Sequence, residues 1–211
     1  MAFFPILIDW QDMPVMIAGG QEIALHKAEL LAGYGADVTV MSSSFCEGLK
    51  KLPVRLVNKR LSAGNAEEEM AGKALVVDAT GNPQAEEILS AYCRNHGIPY
   101  NCAGHGEACT AIFPAVYSKG HTVIAVSSKG ASPVASAWLR DRLAEDIPDR
   151  LDDILAAMAA LRPVSRRFFD DQSVRRIFLH RCFDRMMAEN RPLTEEEIED
   201  VREITAQEMN L

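Results

Sequence analysis

From residue 14 onward, short β-rich apolar runs alternate with longer stretches whose apolar positions recur at helical spacing. Residues 15–18, 37–41, 54–57, 74–79 and 98–101 read as five strands. Between them, Ile23, Ala24, Lys27, Ala28, Leu30 and Leu31 fall on one helix face, as do Ile88, Leu89, Ala91 and Tyr92 further on. The alternation predicts an α/β fold with a mostly parallel sheet and crossover helices over the first hundred residues.

After Cys109 the pattern changes. Val116-Tyr117 and residues 122–126 flank the turn residues Lys119-Gly120, which predicts a hairpin. Ser132-Pro133 reads as a cap followed by proline at the first helical position, and the remainder reads as helices broken at Pro148, Pro163 and Pro192. Thr194-Glu195-Glu196-Glu197 opens the last helix as a capping box. The expected layout is a sheet domain over residues 1–110, a small strand-rich connector over 111–147 and a helical tail over 148–211.

With 211 residues, 48% of them hydrophobic, the chain can bury a sizeable core. Its formal net charge of -8 disfavours nucleic acid as a partner, because binding phosphates requires clustered cations. The one basic stretch, residues 162–181, is interleaved with acids and aromatics and suits exposed and buried helix faces. The apolar start is interrupted by Pro5 and Asp9 and carries no basic leader, and no other run reaches the length of a membrane span. Cys46, Cys93, Cys102, Cys109 and Cys182 are odd in number and lack a Cys-x-x-Cys pair, so they read as reduced thiols. A cytoplasmic protein without a membrane partner is expected.

The chemistry-bearing feature is Gly19-Gly20-Gln21-Glu22-Ile23-Ala24, set between the first strand and the first helix. That is where a Rossmann-type dinucleotide fold places its glycine-rich phosphate turn. Gly19 would supply the tight turn and Ala24 the close helix–strand approach, while Gln21 stands where the middle glycine would admit the pyrophosphate. No acid follows the second strand to hold a ribose hydroxyl; Ser42-Ser43-Ser44 stand there, and Ser42 is the candidate contact. The cofactor expected from this turn is a nicotinamide dinucleotide, NAD or NADP, with Gly19, Gly20, Gln21, Glu22 and Ile23 as contacts.

Several segments, taken in order, resemble precorrin-2 dehydrogenases, the precorrin-2 dehydrogenase / sirohydrochlorin ferrochelatase family that includes the N-terminal module of siroheme synthases. They are residues 4–9, 15–32 and 35–40, the loop Ala79-Thr80-Gly81-Asn82-Pro83, Asn101, Phe113-Pro114-Ala115, residues 125–134, and Leu139-Arg140-Asp141-Arg142-Leu143. The resemblance implies a Rossmann-like parallel sheet, a dimerisation connector exchanged within a homodimer, and NAD-dependent oxidation of precorrin-2 to sirohydrochlorin in siroheme synthesis. Some members also insert iron. It further implies cofactor contacts at Thr80 and Asn82, and tetrapyrrole contacts at Asn101, Ser127, Ser128 and Lys129, with Ser132 either another contact or only a helix cap.

The family places a proton-handling aspartate three residues after the motif asparagine, and this chain has Gly104 there. His105 is the expected replacement, with Glu107 next and Asp78 more distant. Cys102, His105 and Cys109 match no standard metal spacing, so no metal site is assigned. Gln21 and Gly104 together leave a second reading open, a non-catalytic tetrapyrrole-binding relative, and His105 leaves a third, a metal chelatase.

Overall fold

The computed structural model describes residues 3–104 and 106–210 and divides into two compact units, residues 1–113 with 129–131, and residues 114–128 with 132–211. The hairpin and the helix after it thus group with the helical tail.

In the first unit, β1 (Pro14–Ala18), β2 (Asp37–Ser42), β3 (Arg55–Asn58), β4 (Leu75–Asp78) and β5 (Tyr100–Cys102) form one parallel sheet in the order β3-β2-β1-β4-β5. This is the strand order of a doubly wound fold through its fifth strand, and it puts β1 in the middle. Alternation along β1 builds both layers. Val15 and Ile17 join Val38, Val40, Leu75 and Val77 under α1 (Glu22–Gly33), which contributes Ala24, Ala28 and Leu31. Met16 and Ala18 face the other way, onto a core with Met70 of α2 (Ala66–Met70) and Leu89 and Cys93 of α3 (Pro83–His96). Central strands apolar on both sides are what a sheet covered on both faces requires.

The strands match the apolar runs to within two residues at either end. The last begins at Tyr100 because Pro99 has no N–H to donate to the ladder; only its carbonyl takes part, accepting from Val76 N at 3.0 Å. The crossovers are less regular than expected. The β2–β3 connection has only a 3-10 turn at Leu49–Lys51, and the β3–β4 connection only the short α2.

In the second unit, β6 (Ala115–Lys119) and β7 (Thr122–Val126) pair antiparallel around Gly120-His121, and α4 (Pro133–Glu145) packs on both strands. Asp152 of α5 (Leu151–Phe168) closes the turn. Its Oδ1 accepts from His121 N at 2.7 Å and lies 3.0 Å from His121 Nδ1, and a Cβ on Gly120 would collide with the carboxylate. Ile154, Leu161, Phe178, Cys182, Met186 and Val201 form the buried seam of α5, α6 (Gln172–Glu189) and α7 (Glu195–Glu208). Most of α4's apolar residues find no such cover: Val134 is 80% and Trp138 64% exposed, with Leu139 and Leu143 also on the surface.

One expected break is absent. Pro163 lies inside α5, which runs on to Phe168. The proline removes the N–H that would bond the Ala159 carbonyl, but Ala159 is exposed and water can serve that carbonyl. Burial of Leu161 before the proline, and of Ser165 and Phe169 after it, holds the helix through.

The capping box at α7 forms as the sequence indicates. Glu197 N donates to Thr194 Oγ1 at 3.3 Å, Thr194 N donates to Glu197 Oε2 at 2.8 Å, and Arg191 grips the same carboxylate with two N–H groups at 2.7 and 2.9 Å. These bonds, Arg191 foremost, lower the Glu197 pKa to about 2. A carboxylate depressed in the folded state adds stability above its unfolded pKa, roughly 4.3, and loses it as the pH falls toward about 2. Glu197→Gln keeps an acceptor for the cap but not the charge. Urea midpoints measured from neutral pH down to pH ~2 should therefore fall less steeply for Glu197→Gln than for the wild type, and Thr194→Ala should cost about 1 kcal/mol near neutral pH.

Candidate functional site

The carboxyl ends of β1, β2 and β4 meet at the glycine turn. Gly19 has φ 122° and lies so close to β4 that a Cβ would sit 2.5 Å from the Ala79 carbonyl oxygen. At Gly20 a Cβ would fall 1.9 Å from the Ser44 carbonyl oxygen and 2.7 Å from Ser42 Oγ. Backbone bonds lock the approach: Gly19 N donates to Met41 O at 2.9 Å, Cys46 N to Gly20 O at 2.8 Å, and Ala79 N to Ala18 O at 2.8 Å. Both glycines are therefore required by the packing of three strand ends.

Gln21 is the N-cap of α1. Its φ of -110° is open to any residue, and its side chain makes no capping bond. The first-turn amides of α1 are thus left for another acceptor, and together with the helix dipole they make a place suited to an anion. Gln21, Glu22 and Ile23 are exposed there, Ile23 at 50%. Ser42 buttresses the turn and accepts weakly from Ser44 N at 3.4 Å.

The loop after β4 is tightly bonded. Thr80 N and Thr80 Oγ1 donate to Asp78 Oδ1 at 2.8 and 2.6 Å, and Asn82 N donates to Thr80 Oγ1 at 3.1 Å. Asn82 caps α3 by accepting from Gln84 N at 2.9 Å, with Pro83 at the first helical position. Tyr100 reaches Asp78 from β5, its hydroxyl donating to Oδ2 at 3.2 Å. Burial, with the Asp78 charge beside it, raises the Tyr100 phenol pKa far above its ordinary value.

Asn101 is 7% exposed, and its Nδ2 donates to Ala111 O at 3.0 Å, bracing the segment that leaves the sheet. Cys109 packs against β5, where Cys102 N donates to its Sγ at 3.0 Å, and burial raises the thiol pKa. Lys27 of α1 lies 3.8 Å from the Phe113 ring centroid, and burial lowers its pKa. Gly104 has open space where a Cβ would be, and Glu107 is exposed in a 3-10 turn at Gly106–Ala108. His105 lies outside the described residues.

The structure thus brings Gly19, Gly20, Ser42 and the Thr80–Asn82 loop to one edge of the sheet. Ser127 and Ser128 belong to the second unit, whereas Lys129 groups with the first. Ser128 is enclosed in its own loop: its Oγ donates to Ser132 O at 3.0 Å and accepts from Ser132 N at 2.9 Å. Ser132 caps α4 by accepting from Ala135 N at 3.1 Å. Lys129 has φ 55°, a conformation that glycine adopts without strain. Sequence reading missed Tyr100 as Asp78's partner, because 22 residues separate the two; the only local signal was an acid closing an apolar strand.

Residues 6–115 match the protein family described as "Putative NAD(P)-binding", and the chain belongs to that family. Over 193 residues it is 33% identical to the siroheme synthase of Methylococcus capsulatus, covering 90% of this chain and 40% of that protein. It is 31% identical over 206 residues to the siroheme synthase of Azotobacter vinelandii, covering 98% of this chain and 44% of that protein. The chain therefore spans about two fifths of the length of these relatives. Among solved structures, SirC, a precorrin-2 dehydrogenase, shares the fold with a TM-score of 0.70 at 17% identity, covering 97% of this chain and all of that one.

The collision at Gly20 sets a test. Gly20→Ala should destabilise the first unit by about 3 kcal/mol, the upper range for overpacking, and lower its thermal midpoint. Gln21→Ala, at an exposed position with ordinary backbone angles, should leave the midpoint nearly unchanged.

Proposed function

We propose that this chain is a precorrin-2 dehydrogenase that oxidises precorrin-2 to sirohydrochlorin with NAD, in the synthesis of siroheme. The observation that carries the reading is the glycine turn with its uncapped α1 N-terminus, on the carboxyl edge of a β3-β2-β1-β4-β5 sheet, in a chain similar over nine tenths of its length to siroheme synthases. The residues fit the cofactor. Gly19 and Gly20 let the turn close against the ends of β2 and β4, the first-turn amides of α1 hold the charge of the phosphates, and Thr80 and Asn82 border the other side. Gln21, Glu22, Ile23 and Ser42 complete the nucleotide contacts. Bound there, the nicotinamide supplies a hydride acceptor for the macrocycle.

The rest of the work falls to this chain's own groups. His105 takes the proton that the family's aspartate would take. Lys129 offers an ammonium to a polycarboxylate substrate. The exposed Val134, Trp138, Leu139 and Leu143 on α4 form the contact of a homodimer, since a cluster of large apolar side chains on a surface marks an interface. Five cysteines, none of them in a disulfide, suit the cytoplasm, and among the described residues no helix is long and apolar enough to cross a membrane.

Gly104 favours a second reading, a tetrapyrrole-binding relative without turnover, because it has no side chain to take up a proton or bind a metal. Pure protein should be titrated with NAD and NADH and mixed with precorrin-2 while its absorbance is followed. NAD-dependent appearance of sirohydrochlorin is expected, and the absence of both nucleotide binding and turnover would overturn the dehydrogenase reading. Tetrapyrrole binding without turnover would select the second reading. Within the first, His105→Ala should lower kcat by about a hundredfold, the lower range for losing a general acid or base, with little change in nucleotide affinity.

A further inference from the structure

Asp78 has no role in the reaction outlined above, yet its placement is costly. It is the last residue of β4, follows Leu75, Val76 and Val77, and is 2% exposed. A carboxylate taken out of water must find donors to replace the water it loses. Three do so: Thr80 N and Thr80 Oγ1 on one oxygen, and the Tyr100 hydroxyl on the other. Among the described residues no lysine or arginine pairs with it. An aliphatic side chain would finish the strand at lower cost, so the acid must contribute something besides packing.

What it contributes is direction. A carboxylate only accepts, so the single Thr80 hydroxyl proton points inward and the hydroxyl lone pairs face Asn82 N. Asn82 in turn caps α3 through Gln84 N. Between them lies Gly81, with φ 63° and open space where a Cβ would be. Ala79, directly after the acid, donates to Ala18 and rests its carbonyl against Gly19. Asp78 therefore sets the loop at 79–82 in register with the glycine turn across from it.

We propose that Asp78, braced by Tyr100, is a positioning residue for the nicotinamide nucleotide. Through Thr80 it holds the Thr80-Gly81 edge in the form that the bound nucleotide rests on. This inference rests on the nucleotide site proposed above and names the group that shapes one wall of it. The acid touches neither substrate nor cofactor and acts only through the loop.

The test uses the full chain and NADH fluorescence titration, with urea midpoints recorded for each variant. Asp78→Ala should weaken NADH binding by about tenfold, since it leaves the Thr80 hydroxyl and the Tyr100 hydroxyl without their acceptor. Thr80→Val, which keeps the shape but not the hydroxyl, should weaken binding to a similar degree. Combining the two should weaken it no further, because both cut the same relay. Asp78→Asn should stay within about threefold of wild type, as its amide oxygen can still accept from Thr80 and its amide nitrogen can donate to the Tyr100 oxygen. A merely structural acid would lower the midpoints without this pattern in affinity. Wild-type-like binding by Asp78→Ala or by Thr80→Val, or additive losses in the double variant, would overturn the positioning role alone. No binding of NADH by the wild type would overturn the nucleotide site and this inference together.

Discussion

The first unit depends on one steric constraint: at Gly19 and Gly20 there is no room for a side chain. The end of β1 passes so close to the ends of β2 and β4 that backbone meets backbone, and hydrogen bonds from Gly19, Cys46 and Ala79 fix the contact on both sides. Because β1 is central, its position sets that of the sheet, and the sheet sets where α1 starts. The anion-suited amides of α1 are thus a consequence of close packing as much as of local chain chemistry.

From that point the two loops flanking the site are tied together from below. Ala79 links the glycine turn to β4, Asp78 orders the loop beyond it, and Asn82 passes the order to α3. Polar groups buried at such a place have to be fully bonded or they destabilise the core. Among the described residues no buried side-chain polar atom lacks a hydrogen-bond partner. The second unit is held differently, by an apolar seam between α5, α6 and α7 and by the Asp152 tie between α5 and the hairpin turn.

Much of the fold was legible because local physics and the final structure agree. Apolar runs became strands, Ser132 and Thr194 became caps, and Gly120 became a turn. The candidate site was legible in part. Gly19 and Gly20 stand where strand–turn–helix logic puts them. Asn101 and Ser128, expected as ligand contacts from the family motifs, have their side chains bonded to the protein itself, Asn101 to the Ala111 carbonyl and Ser128 to Ser132. A motif shows that a residue type recurs at a place, but not whether its polar atoms are already in use.

The sequence by itself determined the elements, their caps and the glycine turn, because those follow from interactions within a few residues: hydrophobic period, backbone freedom and first-turn hydrogen bonds. Only the tertiary structure decided the strand order, the pairing of Asp78 with Tyr100 and the collision that keeps Gly20 a glycine. It also decided that α5 continues through Pro163. Each of these joins residues far apart in the chain, or weighs a local penalty against packing made elsewhere. A contact of that kind has no energy until the sheet and the helices that bring its partners together have formed.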